Sequence, residues 1–424
     1  MITFAVAVAT VSSRLLPPAL AVAVGWWLLR WAAYGRLSPR TPADWPVALL
    51  LLTVPVTLWV TMVPDVTRTQ VYRLLLGVGL FYALVNWGTS RDRLRVLVVG
   101  ALAAGTLLAL SAPLQVQSSG GKFSFIPTGL YARFTPIVTD LVNPNVLAGT
   151  LVVVVPLAFA LLLFGWTTLS TPERVVSVLA AWTMTGSVVL MQSRGALMAL
   201  AVALATLALL RWHRKWWLWV GLALGGGVTL WAAAAYLPQY LARAMESGRS
   251  LESRLELWSR GLYIVEDFPF TGVGMGTFQQ VTGALYPLFS VPGGEPHAHN
   301  LFLQIAIDLG LPGLIAWLAI LMLVITAAWQ LYGRGRGHDD RYVTGLGAGL
   351  LSSQVALVVH GLTDAVTWGM VRTAVVVWGL WGLAIAAWKV HEYMPPGRSH
   401  IRGKTLESGT APTKARYFPS WDRL

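Results

Sequence analysis

Two histidines separated by one residue, His297 and His299, precede an apolar run in the stretch GGEPHAHNLFLQIAIDLGLPGL. Asn300 is a good N-cap for this run, and Gly310 ends the run after about three helical turns. His299 is therefore expected at the N-terminus of a short helix, where the helix dipole attracts anions and disfavours an imidazolium. We expect a neutral His299 that accepts a proton beside an anion, as a general base does.

Glu295 adds a carboxylate to these two imidazoles, and such a set is common around transition metals. No third histidine and no paired acids stand nearby, so we predict no metal site. The glycine-rich stretch TGVGMGTF at 271–278 lacks a preceding strand and a full G-x-G-x-x-G pattern. It predicts a tight turn and not a nucleotide site, so no cofactor is expected.

Three more charged side chains stand beside apolar segments. Arg194 lies between two such segments in MQSRGAL, Asp364 ends another in HGLTDAVTW, and Arg254 lies off the apolar stripe of an amphipathic segment. A charge at membrane depth is costly enough to indicate a partner or a ligand. The alternatives are contact of the arginines with lipid headgroups, a structural ion pair for Asp364, and a simple polar anchor for His299.

The composition is that of a membrane protein. Of the 424 residues, 56% are hydrophobic and only 12% are charged, about half the charge of a soluble domain. Cysteine is absent, which excludes disulfides and thiolate chemistry. The net charge of +13 bears on orientation in the bilayer, and no nucleic-acid partner is expected.

Apolar segments of about 20 residues, the length that crosses a bilayer, recur along the chain. We predict an all-α, polytopic helix bundle with about eleven transmembrane helices, or about twelve if residues 2–12 add one. The predicted spans are 15–33, 45–63, 70–88, 95–113, 145–165, 174–192, 196–211, 216–235, 312–332, 343–363 and 370–388.

Most Lys and Arg residues fall on one side of the predicted membrane when the connecting segments alternate between sides. The positive-inside rule makes that side cytoplasmic, so segments 114–144 and 236–300 are extracytoplasmic. Residues 1–388 are predicted to form one transmembrane domain, and residues 389–424 a basic, disordered cytoplasmic tail.

The extracytoplasmic segment 236–300 is expected to contain a helix at the membrane surface. Its apolar residues recur at three and four positions, as on one face of an amphipathic helix: Leu251, Leu255, Trp258, Leu262 and Val265.

Several of these stretches together resemble a known family. His299, Asn300, Gly310 and Gly313 fit H-N, nine residues, G-x-x-G, which is similar to the signature of the bacterial O-antigen ligase and polymerase superfamily. Other stretches resemble further elements of that family in the same order: LVNPNVLAGTL with Asn143, Pro144, Asn145 and Ala148; SRGA at 193–196; and SRLELWSRGLYIVEDFPFTGVGMGTF at 253–278. The resemblance covers about residues 130 to 370.

The resemblance implies a GT-C-type membrane glycosyltransferase that takes its donor glycan from polyprenyl (undecaprenyl) diphosphate, inverts the anomeric centre and needs no metal. It implies His299 as the catalytic base and Arg194 and Arg254 as diphosphate ligands. It also implies acceptor-side or orienting roles for Asp364, Asn300 and Asn145. Gly310 and Gly313 carry the structural part of the motif.

The implied setting is the bacterial cytoplasmic (inner) membrane, with the active site on its outer face. Expected partners are a lipid-linked oligosaccharide or polysaccharide donor, membrane lipids and an acceptor such as lipid A-core. Segment 236–300 is short for a ligase that docks a large lipopolysaccharide core, which leaves the acceptor open. The alternatives are a repeat-unit polymerase, a protein O-oligosaccharyltransferase and, without a convincing internal repeat to support it, a lipid-linked glycan transporter.

Overall fold

The structure is a computed structural model that describes residues 15–116, 129, 142–212, 249–289, 294–369 and 374–392. Within these ranges the secondary structure is helical and no strand occurs, which confirms the predicted all-α class. The helices are α1 Leu16–Tyr34, α2 Asp44–Val60, α3 Pro64–Trp87, α4 Arg91–Gln115, α5 Pro144–Val152, α6 Val155–Gly165, α7 Thr171–Leu190, α8 Arg194–Trp212, α9 Arg249–Asp267, α10 Phe278–Leu285, α11 Leu301–Gly337, α12 Arg341–Gly361 and α13 Val375–Glu392.

Among the described residues, seven helical segments are long and apolar enough to cross a bilayer. They are α1, α4, α5 together with α6, α7, α8, α11 and α12. Helix α2 is apolar but shorter. The chain is therefore a multi-pass, all-α membrane protein, as the sequence predicts. The predicted span 216–235 and the apolar residues 2–12 lie outside the described ranges.

Several helices begin or end a few residues away from the predicted bounds, and two of these differences change how the chain is divided. The predicted span 145–165 is divided after Val152, because Pro156 stands in the first turn of α6 and has no amide hydrogen to continue the α-helical pattern from α5. The last helix runs to Glu392, so the first residues of the predicted tail belong to α13. The rest of the tail, 393–424, lies outside the described residues.

Helix α11 bends at Gly310, which has φ 71° and ψ −180°. The predicted short helix therefore exists as residues 301–309, and the apolar span continues from the bend to Gly337. The amide of Leu311, freed from the α-helical pattern, donates to the carbonyl of Pro269 at 2.7 Å. The bend thus docks on the segment that follows α9.

Basic residues that the sequence assigns to one side of the membrane meet acidic partners at one end of the bundle. Arg91 at the start of α4 lies 2.8 Å from Asp340, which precedes α12. Arg95 lies 2.8 Å from Glu173 in the first turn of α7. These pairs join three helix ends, and the predicted sidedness of the connecting segments stays a prediction.

Helix α9 has two apolar faces. Leu257 and Ile264 are buried in a cluster with Val273, Phe278 and Ile307. On another face, Leu255 and Leu262 are each 56% exposed. The outward face is part of the stripe expected at the membrane surface. The inward face, which attaches α9 to the bundle, includes Trp258 and Val265 of that stripe together with Leu257 and Ile264, so the stripe is divided between the two faces.

Candidate functional site

The turn that carries the two histidines is held by the first turns of α11. Asn300 accepts a hydrogen bond from the amide of Leu303 at 3.0 Å, which confirms it as the N-cap. The amide of Ala298 donates to Oε1 of Gln304 at 2.8 Å. His299 has φ 49°, a left-handed conformation that costs a non-glycine residue about 1–3 kcal/mol and clusters at functional sites.

A buried polar network continues from Gln304 into the bundle. Its Nε2 donates to Oδ1 of Asp308 at 2.8 Å. Asp308 also accepts from the amide of Gly276 at 3.1 Å and from Nε1 of Trp368 at 2.8 Å. The carboxyl thus joins the glycine-rich turn, α11 and the segment after α12. Sequence analysis missed both residues, although an amide and an acid four positions apart inside an apolar helix were the signal.

The glycine-rich turn packs directly against the bend of α11. Gly272 has φ 62°, and a Cβ there would lie 2.6 Å from the carbonyl oxygen of Ile307. A Cβ on Gly310 would lie 2.6 Å from the carbonyl carbon of Phe270. The predicted tight turn is confirmed, and its glycines let two backbones approach closely.

Asp364 lies beside both histidines. Its Oδ1 is 3.4 Å from Nδ1 of His299 and 3.7 Å from Nε2 of His297. The two imidazole centroids are 4.3 Å apart, and Oε2 of Glu295 lies 3.6 Å from Nε2 of His299. The structure therefore brings together His299 and Asp364, two of the predicted site residues, and adds His297 to them.

Burial sets the electrostatics of this group. It lowers the pKa of His297 to about 4, and the charges of His299 and Arg254 act in the same direction while Asp364 opposes them. Burial by itself raises the pKa of Asp364, but the facing His299 and the other imidazoles hold it below its ordinary value. At pH 7 a neutral His297 thus faces an ionised Asp364.

Two other sequence motifs pack on the segment that carries Asp364. A Cβ on Gly149 of α5 would lie 2.5 Å from Cε1 of His360. A Cβ on Gly195 of α8 would lie 2.4 Å from Oγ1 of Thr363. These two motifs and the histidine turn, which are distant in sequence, therefore converge near one end of α12.

The remaining predicted residues lie around this centre. Arg194 precedes Gly195 at the start of α8 and is exposed. Asn145 lies one turn before Gly149 on the same face of α5, and its amide donates to the side chain of Asn143. Arg254 is half-buried on α9. The assigned roles of Arg194, Arg254 and Asn145 stay predictions.

His297, His299 and Asp364 offer potential metal-ligand atoms within 4.8 Å of one another. The amide of His299 donates to Nδ1 of His297 at 3.2 Å, so a neutral His297 carries its hydrogen on Nε2, the atom that faces Asp364. A metal on Nε2 would shift this hydrogen to Nδ1 and point it at the amide hydrogen. The arrangement therefore favours a hydrogen-bonding network, and metal independence stays a prediction.

The comparison with curated proteins gives no match. Residues 179–318 match a family model described as O-Antigen ligase. The matched region includes Arg194, Arg254 and His299 and ends beyond Gly313, whereas Asp364 and Asn145 lie outside it. Over residues 179–318, about a third of its length, the chain is therefore similar to the O-antigen ligase family.

Proposed function

We propose that this protein is an inverting glycosyltransferase that moves a glycan from polyprenyl diphosphate to an acceptor hydroxyl at the outer face of the bacterial cytoplasmic membrane. The family match supports an enzyme of the O-antigen ligase or polymerase type. The observation that carries the proposal is the contact of His299 with Asp364 at 3.4 Å. It pairs a candidate base with a carboxylate that orients it.

The chemistry assigned to His299 follows from its two ring nitrogens. Nδ1 faces Asp364, and Nε2, which lies 3.6 Å from Oε2 of Glu295, is the nitrogen that takes the proton of the acceptor hydroxyl. The acceptor oxygen forms a bond to the anomeric carbon, and the bond from that carbon to the diphosphate oxygen breaks. The diphosphate leaves with the electron pair.

The departing diphosphate needs positive charge close to it. Arg254 supports this role because its charge already acts on His297, and Arg194 begins the helix whose next residue packs on Thr363. Guanidinium groups suit phosphate because they bind it through two parallel hydrogen bonds. The exposed apolar residues of α9, Leu255 and Leu262, are suited to the lipid phase that holds the prenyl tail.

The first test replaces the base. His299→Ala is expected to lower the turnover of purified protein by at least about 100-fold, because general-base catalysis contributes about 10²–10⁴-fold. The assay uses a synthetic polyprenyl-diphosphate glycan and an acceptor, and thermal unfolding checks the fold. His338→Ala is the matched control, because His338 is exposed after α11. Full turnover by His299→Ala would refute the assignment.

The same assay separates ligase from polymerase. With donor alone, a ligase gives no product and a repeat-unit polymerase lengthens the glycan. We expect product only when an acceptor is added, and chain growth from donor alone would assign the polymerase reaction instead.

A further inference from the structure

We propose that His297 is a positioning residue for the transfer reaction, which acts through Asp364 and the backbone of His299 and not through the substrate. The proposal rests on the base role proposed for His299. It assigns a duty to a histidine that the H-N motif itself leaves out.

The first step is the identity of the hydrogen-bonding atoms of His297. Its Nδ1 accepts the amide hydrogen of His299 at 3.2 Å, and a neutral imidazole with an acceptor Nδ1 carries its hydrogen on Nε2. Nε2 lies 3.7 Å from Oδ1 of Asp364. His297 therefore presents a donor to the carboxylate and an acceptor to the backbone.

The second step is the crowding around one carboxylate oxygen. Oδ1 of Asp364 accepts the amide of Ala365 at 2.8 Å and faces Nε2 of His297 and Nδ1 of His299. At 3.4 and 3.7 Å both ring nitrogens lie beyond ordinary hydrogen-bond distance from this oxygen, and such contacts tighten when substrate binds. A carboxylate held in this way keeps the hydrogen of His299 on Nδ1 and its Nε2 free to accept a proton.

The third step is backbone strain. His299 has φ 49°, and the hydrogen bond from its amide to His297 is one of the contacts that hold it there. The side chain of His297 is 12% exposed and that of His299 is 19% exposed. His297 thus lies behind His299 and supports it.

Three variants separate the two contacts of His297. His297→Asn keeps an acceptor near the position of Nδ1, His297→Gln keeps a donor near the position of Nε2, and His297→Ala keeps neither. We expect the alanine variant to lower kcat by about 10- to 100-fold, since a misplaced catalytic group costs up to about 10²-fold. KM for the donor is expected to stay within about 2-fold, because His297 does not bind it.

The conservative variants are the decisive readout. Glutamine is expected to restore kcat at least about 5-fold over alanine, and asparagine is expected to restore the melting temperature more than kcat. Unchanged kcat in all three variants would overturn the proposal. A raised KM for the donor with a normal kcat would also overturn it. The same would follow if all three variants lost kcat equally and in proportion to their loss of melting temperature.

Two further variants distinguish this proposal from the proposed transferase function on which it rests: His299→Ala, and a double variant at His297 and Asp364. If His299→Ala keeps its turnover, the base assignment fails. If His299→Ala is inactive while the His297 variants turn over normally, only the positioning role fails. The variant His297→Ala with Asp364→Asn is expected to lose little more activity than Asp364→Asn alone, because groups that act as a unit are not additive; additive losses would contradict the shared path.

Discussion

At the residue scale, the site is a set of side chains whose individual signals are weak. His299 belongs to a motif, whereas Asp364 lies beyond the family match and His297 beside the motif. Their value comes from proximity, since Oδ1 of Asp364 lies within 3.7 Å of one nitrogen of each ring. A carboxylate at this distance favours the tautomer in which the facing ring nitrogen carries the hydrogen.

His297 also predicts an acid sensitivity. Burial lowers its pKa from 6.5 to about 4, so the unfolded chain binds a proton below about pH 6.5 and the folded chain does not until about pH 4. The contribution of His297 to the free energy of unfolding is therefore complete above pH 6.5. It is lost at about 1.4 kcal/mol per pH unit as the pH falls to about 4. The melting temperature of wild type is expected to drop more steeply between pH 7 and 4.5 than that of His297→Gln.

The groups that face His297, namely His299, Asp364 and Arg254, are present in both proteins, so the two proteins differ chiefly in the titration of His297. His338→Gln, which alters an exposed histidine, should follow wild type. Parallel slopes for wild type and His297→Gln would contradict the buried, neutral state of His297.

At the element scale, the bend of α11 decides where the histidines lie. Glycine is required at position 310 for two reasons. Its positive φ is strained for other residues, and its close approach to the backbone of Phe270 leaves no room for a Cβ. Gly313 follows the bend, and a Cβ there would lie 2.3 Å from the Cβ of Leu309. The H-N and G-x-x-G parts of the motif are therefore structurally linked. The glycines set the direction of the short helix 301–309, and His299 lies just before that helix.

Gly310→Ala is expected to lower both the melting temperature and the turnover, because alanine would meet a backbone clash and a strained φ. A loss of about 2 kcal/mol or more is the expected scale. Gly333→Ala is the matched control in the same helix, since its Cβ would meet nothing within 4 Å, and it is expected to be neutral or slightly stabilising. Equal behaviour of the two variants in thermal unfolding would refute the argument.

At the scale of the whole molecule, the ion pairs and the site occupy opposite ends of the bundle. Asp340 precedes α12 and Asp364 follows it, and a helix of 21 residues is about 30 Å long. Stability and chemistry should therefore separate by mutation.

Arg95→Ala tests this separation. It leaves Glu173, whose side chain is 10% exposed, with its hydrogen bonds from Ser170 but without its cationic partner, and loss of one member of a buried ion pair costs up to about 3–5 kcal/mol. The melting temperature is expected to fall, while kcat per folded molecule and donor KM stay unchanged. Restoring charge balance with Glu173→Gln in the same chain should recover part of the stability. A large change in kcat at full folding would contradict the independence of the two ends.

The sequence by itself determined the helical membrane class, most helix positions, the bend at Gly310 and the cap at Asn300. These follow from hydrophobic periodicity and from glycine, proline and asparagine chemistry, which are local. His299 could also be selected as a candidate from the sequence, because its motif lies within one continuous stretch, residues 299–313.

Only the tertiary structure decided what surrounds His299. Asp364 is distant in sequence from His299, and its contact depends on how α12 returns to the site. The network from Gln304 to Asp308 and Trp368 depends in the same way on packing between separate elements. Periodicity reports which face of a helix is apolar and not which helix covers it, so the partners of the base were decided by the packing of the bundle.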